Sequence, residues 1–339
     1  MKKIIGMVLA LVMVFSFTAC NNSGNSTDEP NTSETESSVP TETPATNQSA
    51  ETADTAQVKK IGVAVGSATD VWATYWMEEV KKYGAKFEGY EFSFEDAGDY
   101  DLANQISQVE NFINNGYDAI IMIPADASAS GSITDACKAA DIPLIVAEIK
   151  LSNQEDATAL AASDAYDGGL MQASYVMEDL MKGTGKVVVL QGKAGNDNAI
   201  YRYKAACDVA DKNPGIEIVA TDIADWDRSK AMTIMETWIQ SGLKFDCVLA
   251  GNDEMAIGAS LALQDAGMRD NVIIAGFDAT DEGKAAIKDG AIDITMLFDA
   301  VGQADAAVDL AIDAIEGTLT SNEIMVPHTV ITAENVDEH

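Results

Sequence analysis

An internal repeat constrains the fold more than any other feature of this sequence. The segment KIGVAVG at 60–66 recurs as KVVVLQG at 186–192. Further pairs at the same offset are Asp99 with Asp225, Tyr100 with Trp226, and Gly116 with Gly242. Self-similarity over such a distance indicates a duplicated structural unit. We therefore predict two lobes of one design.

Each repeat alternates short apolar runs with helical patterns. The first repeat predicts strands at 61–65, 90–94 and 119–123, and helices at 72–87 and 102–115. Such alternation is typical of a parallel sheet covered by helices on both faces. With right-handed crossovers, the fold class is α/β, with two doubly wound parallel-sheet lobes.

The N-terminal residues indicate export. Lys2 and Lys3 precede an apolar run at 4–17 that ends in small residues and Cys20. This pattern resembles a bacterial lipoprotein signal, which implies removal of residues 1–19 and lipidation of Cys20. An ordinary secretory signal with an incidental cysteine is the alternative.

A polar segment follows the predicted signal. Residues 21–57 are almost entirely Ser, Thr, Asn, Glu, Asp, Pro and Ala, without a basic residue. With so few apolar groups the segment cannot offset the entropy of ordering. We therefore expect a disordered acidic stalk over 20–57, with a folded body of about 280 residues from Val58 onward.

Charge and metal-ligand content exclude several classes of function. A net charge of -34 and a pI near 4.1 argue against electrostatic binding of nucleic acid or an anionic membrane. Cys137, Cys207 and Cys247 lie in apolar contexts without Cys-x-x-Cys spacing, and only His328 and His339 supply imidazoles. A zinc site or a histidine-based triad is therefore not expected, nor is any cofactor.

Polar and aromatic residues cluster where the predicted strands end. Ligands of doubly wound sheets bind beyond the carboxyl ends of the strands, so these residues are candidates to line a cleft between the lobes. They are Asp70, Trp72, Asp126 and Glu148 in the first lobe, and Asn196, Asn198, Arg202, Trp226, Asn252 and Asp278 in the second.

Four motifs occur together in the second half: LQG with AG (190–195), ADWDR (224–228), NDEMAIGA (252–259) and GFD (276–278). Because these four motifs occur together, the chain from about Lys60 onward resembles a type I periplasmic binding protein of the ribose-binding branch. That resemblance implies capture of a small sugar or related polyol outside the cytoplasmic membrane and delivery to an ABC permease.

The resemblance also implies roles for individual residues. Carboxylates and a guanidinium can bond sugar hydroxyls bidentately with charge assistance, while aromatic rings stack on the C–H faces. The implied ligand-binding residues are Asp70, Trp72, Glu148, Arg202, Trp226, Asn252 and Asp278, with Asp126 and Met296 as weaker candidates.

Three positions depart from the ribose-type pattern. Ile149 stands where those proteins have arginine, Ile123 where they have asparagine, and Met296 where they have glutamine. We therefore expect a ligand other than ribose. It is another pentose or hexose, a sugar alcohol, a cyclitol or a less oxygenated molecule.

Each candidate also has a structural interpretation. Two could be core aromatics, namely Trp72 and Trp226. Three could be helix N-caps, namely Asp70, Asn252 and Asp278. Arg202 could form a surface ion pair, and Asp253 and Glu254 are first-turn residues that favour the helix dipole.

By analogy with the family, three crossovers form a hinge near 163–164, 297–298 and 324–325. The expected lobes are 58–163 plus 298–324, and 164–297 plus 325–339.

We expect a monomer with no enzymatic activity, held by its lipid at the outer face of the cytoplasmic membrane. The alternative partner is a membrane receptor to which the protein presents a sugar or a furanone-type signal.

Overall fold

The computed structural model of the protein describes residues 57–339. The predicted signal peptide, Cys20 and the predicted stalk up to residue 56 lie outside the described residues. Within residues 57–339, no helix is both long and apolar enough to cross a membrane.

The first of two six-stranded sheets is built almost entirely from the first repeat, and all its strands are parallel. In spatial order the strands are β11 (Glu323–Met325), β5 (Ala159–Ala162), β4 (Leu144–Glu148), β3 (Ala119–Ile123), β1 (Lys59–Val65) and β2 (Tyr90–Asp96). Every residue of β3 is buried, because helices cover both faces of the sheet.

The second sheet repeats this order with one change. Its strands are β12 (Thr329–Thr332), β10 (Ile294–Leu297), β9 (Ile273–Ala275), β8 (Cys247–Ala250), β6 (Thr184–Gln191) and β7 (Gly215–Ile223). Only its edge strand β12 is antiparallel to its neighbour. The prediction of two doubly wound α/β lobes is confirmed.

Nine α-helices cover the two sheets in the described part of the chain. They are α1 (Val71–Gly84), α2 (Leu102–Asn114), α3 (Gly131–Ala139), α4 (Ala165–Ser174), α5 (Asp197–Lys212), α6 (Arg228–Gln240), α7 (Asp253–Asp265), α8 (Asp281–Lys288) and α9 (Ala300–Glu316). Helices α1 and α9 pack on one face of the first sheet, and α2 and α3 on the other. In the second lobe α6, α7 and α8 cover one face, and α4 and α5 the other.

The first helix is shorter than the predicted 72–87. It ends at Gly84, after which the Lys86 amide bonds the Tyr83 carbonyl at 3.0 Å in a tighter turn.

The repeat extends to individual hydrogen bonds. The Lys60 amide donates to the Asp118 carboxylate at 2.8 Å, and the Lys186 amide donates to Asp246 at the same distance. Each pair fixes the start of the third strand of its sheet beside the first strand.

The chain passes between the sheets three times, after β5, β10 and β11. The His328 imidazole lies 3.2 Å from the Leu297 carbonyl and 3.0 Å from the Asp164 carbonyl, so it joins two of these passages. Met325 pairs with Ala162 of the first sheet, one residue beyond the predicted lobe boundary. The hinge itself stays a prediction.

Candidate functional site

Strand ends of both sheets face each other across a small cavity between the lobes. The space between its lining atoms is about 280 Å³, and part of this space is open to solvent. The lining residues are Asp70, Trp72, Tyr100, Glu148, Asn196, Asn198, Arg202, Trp226, Asn252, Asp278 and Phe298. The seven main candidates from the sequence therefore lie together.

Asp70 combines two roles. One carboxylate oxygen caps α1 by accepting the Ala73 amide at 3.0 Å, as the capping interpretation proposed. The other oxygen lies 3.3 Å from the Tyr100 hydroxyl, which donates to it inside the cavity. One oxygen therefore orients the carboxylate while the other remains on the ligand side.

Glu148 ends β4 with a positive φ of 71°, which turns its side chain into the cleft. The Asn198 amide of α5 donates to Glu148 Oε1 at 2.7 Å. This partly buried bond joins the lobes directly, because β4 belongs to the first sheet and α5 covers the second.

Arg202 is buried, which excludes the surface ion pair considered for it. Its Nη1 donates to the Gly251 carbonyl at 2.7 Å and lies 3.8 Å from Asp278 Oδ1. The guanidinium carbon lies 3.6 Å from the centre of the Phe277 ring. These contacts hold a planar donor group rigidly at the cavity wall.

Asp278 does not cap the helix that follows it. Thr280 caps α8 instead, and Asp278 adopts a φ of 114° while its amide donates to the Met296 carbonyl at 2.8 Å. A non-glycine residue in this region is strained, and such strain is concentrated at ligand sites.

Asn252 caps α7 through Oδ1, which accepts the Met255 amide at 2.9 Å. Its Nδ2 lies 3.3 Å from the Trp226 carbonyl and ties the cap to the loop that carries this tryptophan. The Trp226 ring packs against Gly192 so closely that a β-carbon there would lie 2.0 Å from Cη2. Gly192 therefore determines where the ring stands.

Trp72 belongs to the core and to the cavity wall at once. It stacks on Phe298 with ring centres 4.4 Å apart, and its Nε1 donates to the Phe298 carbonyl at 2.6 Å. Because the indole is 4% exposed and its N–H is already paired, only its apolar surface can face a ligand.

The first-turn residues of α7 are structural. The Asp253 carboxylate accepts hydrogen bonds from Thr280 at 2.8 Å and from Thr295 at 2.5 Å, and it is fully buried. Glu254 pairs with Arg228 at 2.7 Å. Neither lines the cavity.

Charge in the cavity is unbalanced. Burial raises the pKa of Asp70 and Asp278 above the usual range, and it raises the pKa of Glu148 to about 8, with the Asp70 charge adding to this shift. Burial lowers the pKa of Arg202, although the neighbouring carboxylates oppose this. Three carboxylates thus share one guanidinium.

Two weaker candidates lie elsewhere. The Asp126 carboxylate accepts hydrogen bonds from the Ser128 and Ala129 amides at 2.8 and 3.0 Å and orders its own turn. Met296 is fully buried among apolar side chains between sheet and helices. Asp126 and Met296 are therefore removed from the site.

The departures from the ribose-type pattern do not make the cavity apolar. Ile123 is buried in β3, and Ile149 packs beneath the first sheet beside α3. Ile123, Ile149 and Met296 do not line the cavity. These three residues therefore do not support a less oxygenated ligand.

Sequence reasoning missed two lining residues. Tyr100 could have been found, because it is the repeat partner of Trp226 and shares its positive φ of about 60°. The other is Phe298, whereas Asn196 and Asn198 were already among the predicted strand-end candidates. Phe298 reaches the cavity only through the crossing of the chain between lobes, which no local pattern shows.

Comparison with known proteins agrees with this geometry. Residues 61–319 match the family described as "periplasmic binding protein domain". A proposed rhizopine-binding protein of Rhizobium meliloti is 35% identical over 84% of this chain and 93% of its own length. A xylitol-binding protein of Mycolicibacterium smegmatis is 33% identical over 85% and 81%.

Solved structures show the same fold. An ABC transporter solute-binding protein of Bacillus halodurans with bound myo-inositol has a TM-score of 0.80 and 36% identity, and the match covers 84% of this chain and 97% of that chain. The chain therefore belongs to the periplasmic binding protein family, as a type I sugar-binding member of the kind that serves ABC transporters and is not an enzyme.

Proposed function

We propose that this protein captures a small sugar, sugar alcohol or cyclitol in the cleft and delivers it to an ABC permease. The convergence of Asp70, Glu148, Arg202 and Asp278 on one cavity supports this most strongly, because these groups bond hydroxyls with charge assistance. The apolar faces of Trp72 and Trp226 complete a surface suited to the C–H groups of such a ligand. The ligands of the relatives, xylitol and myo-inositol, belong to the same chemical class.

Capture proceeds by closure of the two lobes on the ligand. The contacts that bridge the lobes in this conformation include Asn198 with Glu148 inside the cavity and Lys193 with Asp99 at its mouth. Such contacts exist only when the lobes approach, so a bridging ligand shifts the population toward the closed form. Small-angle scattering tests this, since ligand should reduce the radius of gyration. An unchanged radius at saturation would refute hinge closure.

A lipid on Cys20 would hold the protein at the outer face of the cytoplasmic membrane. The support is the sequence pattern before Cys20 alone. Cys20→Ser should move the protein from the membrane fraction to the soluble fraction, with the unmodified chain as reference. Membrane retention of the variant would contradict lipid anchoring.

Delivery to a permease is tested in cells. Deletion of the protein should abolish high-affinity uptake of the radiolabelled ligand that it binds in vitro. Unchanged uptake, together with loss of a transcriptional response to that ligand, would favour the sensor alternative.

A further inference from the structure

The two lobes carry equivalent turns at the mouth of the cleft, but they differ in where the lysine beside each turn comes from. Each turn has an aspartate followed by an aromatic residue, both with positive φ. These pairs are Asp99 with Tyr100, and Asp225 with Trp226. Asp225 pairs with Lys230 of α6 in its own lobe. Asp99 pairs with Lys193, which lies between β6 and α5 in the other lobe.

The internal repeat shows that this difference arose in the sequence. Asn104 stands in the first lobe at the position equivalent to Lys230. Ser67 stands there at the position equivalent to Lys193. Among residues 57–339, Lys193 is the only residue whose cationic group lies within 4.0 Å of the Asp99 carboxylate. The turn of the first lobe therefore takes its cation from across the cleft, and separation of the lobes removes it.

Lys193 contacts this turn in three ways. Its Nζ pairs with the Asp99 carboxylate, lies 3.4 Å from the Asp99 carbonyl oxygen and lies 5.4 Å from the centre of the Tyr100 ring. The turn is conformationally costly, because Gly98, Asp99 and Tyr100 all have positive φ and two of them carry side chains. An ion pair as exposed as this one stabilises little by itself, and the contact with the ring adds to it.

Tyr100 connects this contact with the cavity. Its ring packs on Gly66, where a β-carbon would lie 3.1 Å from Tyr100 Cδ1, and its amide donates to the Gly66 carbonyl at 2.9 Å. Its hydroxyl donates to Asp70 inside the cavity at 3.3 Å. The ring that Lys193 faces at the mouth thus ends in a hydrogen bond to a cavity carboxylate.

We propose that Lys193 is a positioning residue that acts across the cleft: on closure it docks on the turn of Asp99 and Tyr100, holds the Tyr100 hydroxyl on Asp70 and slows ligand release. This rests on the proposed function and adds a control of residence time to it. The lobes must separate before a ligand leaves, and these contacts break in that step. Encounter of the ligand with the open form does not involve them, so the association rate is independent of Lys193.

Stopped-flow fluorescence on the purified protein measures both rates, because Trp72 and Trp226 line the cavity. The probe is whichever of xylitol, myo-inositol, D-ribose, D-glucose and D-galactose binds most tightly in calorimetry. Lys193→Glu places two carboxylates face to face and should raise the dissociation rate constant at least about threefold. Asp99→Lys should do the same. The association rate constant should stay within about twofold of wild type.

A charge swap separates the proposed contact from a merely structural role. The double variant Lys193→Glu with Asp99→Lys restores the attraction in reversed order, so it should dissociate at least about twofold more slowly than either single variant. Lys230→Glu is the matched control, because it makes the same charge change at the mouth but breaks a pair within one lobe. It should change dissociation by less than about twofold. Melting curves verify that all variants fold.

The route through Tyr100 has its own test. Lys193→Met removes the charge and keeps the apolar stem, and Tyr100→Phe removes the hydroxyl and keeps the ring. If Lys193 acts through the hydroxyl on Asp70, Lys193→Met should accelerate dissociation less in Tyr100→Phe than in the wild type, since contacting residues couple. Equal acceleration in both backgrounds would show that Lys193 does not act through this hydroxyl.

The outcomes separate this inference from the proposed function. If the charge swap dissociates as fast as the single variants, or if Lys230→Glu matches Lys193→Glu, the contact across the cleft does not slow release, and the inference is wrong while solute capture stands. If none of the five compounds binds to the wild type, the proposed function fails and this inference fails with it.

Discussion

Asn198 and Glu148 join the two lobes through one partly buried hydrogen bond of 2.7 Å. Asn198→Ala leaves the Glu148 carboxyl without this donor and removes a contact that exists only when the cleft is closed. We expect ligand affinity to fall by at least about tenfold, in line with ~1 to 3 kcal/mol for a buried group left unpaired.

Titration calorimetry on Asn198→Ala checks this expectation. Asn213→Ala is the matched control, because Asn213 at the end of the same helix donates to Glu178 at 2.9 Å on the exposed surface of one lobe. An equal loss of affinity in both variants would contradict a bridging role for Asn198.

Asn252 and Asp278 are expected to contribute directly to binding. Asp278→Ala and Asn252→Ala should each weaken binding by roughly 2 kcal/mol or more, because ligand hydroxyls lose a buried partner. Asn252→Ala should also lower the free energy of unfolding by ~1 kcal/mol, since it removes the cap of α7. Asp101→Ala, which removes the cap of α2 outside the cavity, should cost similar stability at unchanged affinity. Unchanged affinity in both cavity variants would remove these residues from the site.

Gly192 is expected to control the position of Trp226. In Gly192→Ala the new methyl group would lie 2.0 Å from the indole, so the ring must move and affinity should fall at least about tenfold. Gly131→Ala, where a β-carbon meets nothing within 4 Å, is the control. Calorimetry with tryptophan fluorescence measures both effects, and wild-type affinity in Gly192→Ala would show that the Trp226 ring does not contact ligand.

Glu148 should make the protein less stable as the pH rises. Its pKa increases from 4.5 to about 8 on folding, so between these values the native state binds more protons than the unfolded chain. Stability is therefore full at low pH and is lost as the pH rises toward 8. His328 acts in the opposite sense, because burial lowers its pKa and acid then favours unfolding. Melting temperatures of wild type and Glu148→Gln between pH 5 and 9 should diverge, with the flatter curve in the variant; parallel curves would refute the shift.

Much of the architecture could be read from the repeat. The offset that pairs Lys60 with Lys186 places equivalent strands in equivalent sheets, because a duplicated pattern buries the same faces twice. The cavity-lining residues at strand ends could also be predicted, because the carboxyl ends of parallel strands lie at one edge of a sheet.

The errors at Asp126 and Met296 and the omission of Phe298 have different physical causes. Asp126 follows a strand like the other candidates, but its carboxylate accepts hydrogen bonds within its own turn and does not line the cavity. Met296 points into the core because the pleat places alternate residues on opposite faces. Phe298 reaches the cavity where the chain crosses between the lobes, which short-range periodicity does not encode.

The central claim is that the cleft binds a small polyhydroxylated solute. A thermal-shift screen of sugars, sugar alcohols, cyclitols and their amino derivatives, with amino acids as controls, tests it most directly. Saturation at about a hundred times the dissociation constant adds roughly 2.7 kcal/mol, or several degrees. We predict such a shift with at least one polyhydroxylated compound and its loss in Asp278→Ala. A shift with none of them, or one that persists in Asp278→Ala, would contradict the assignment of this cleft.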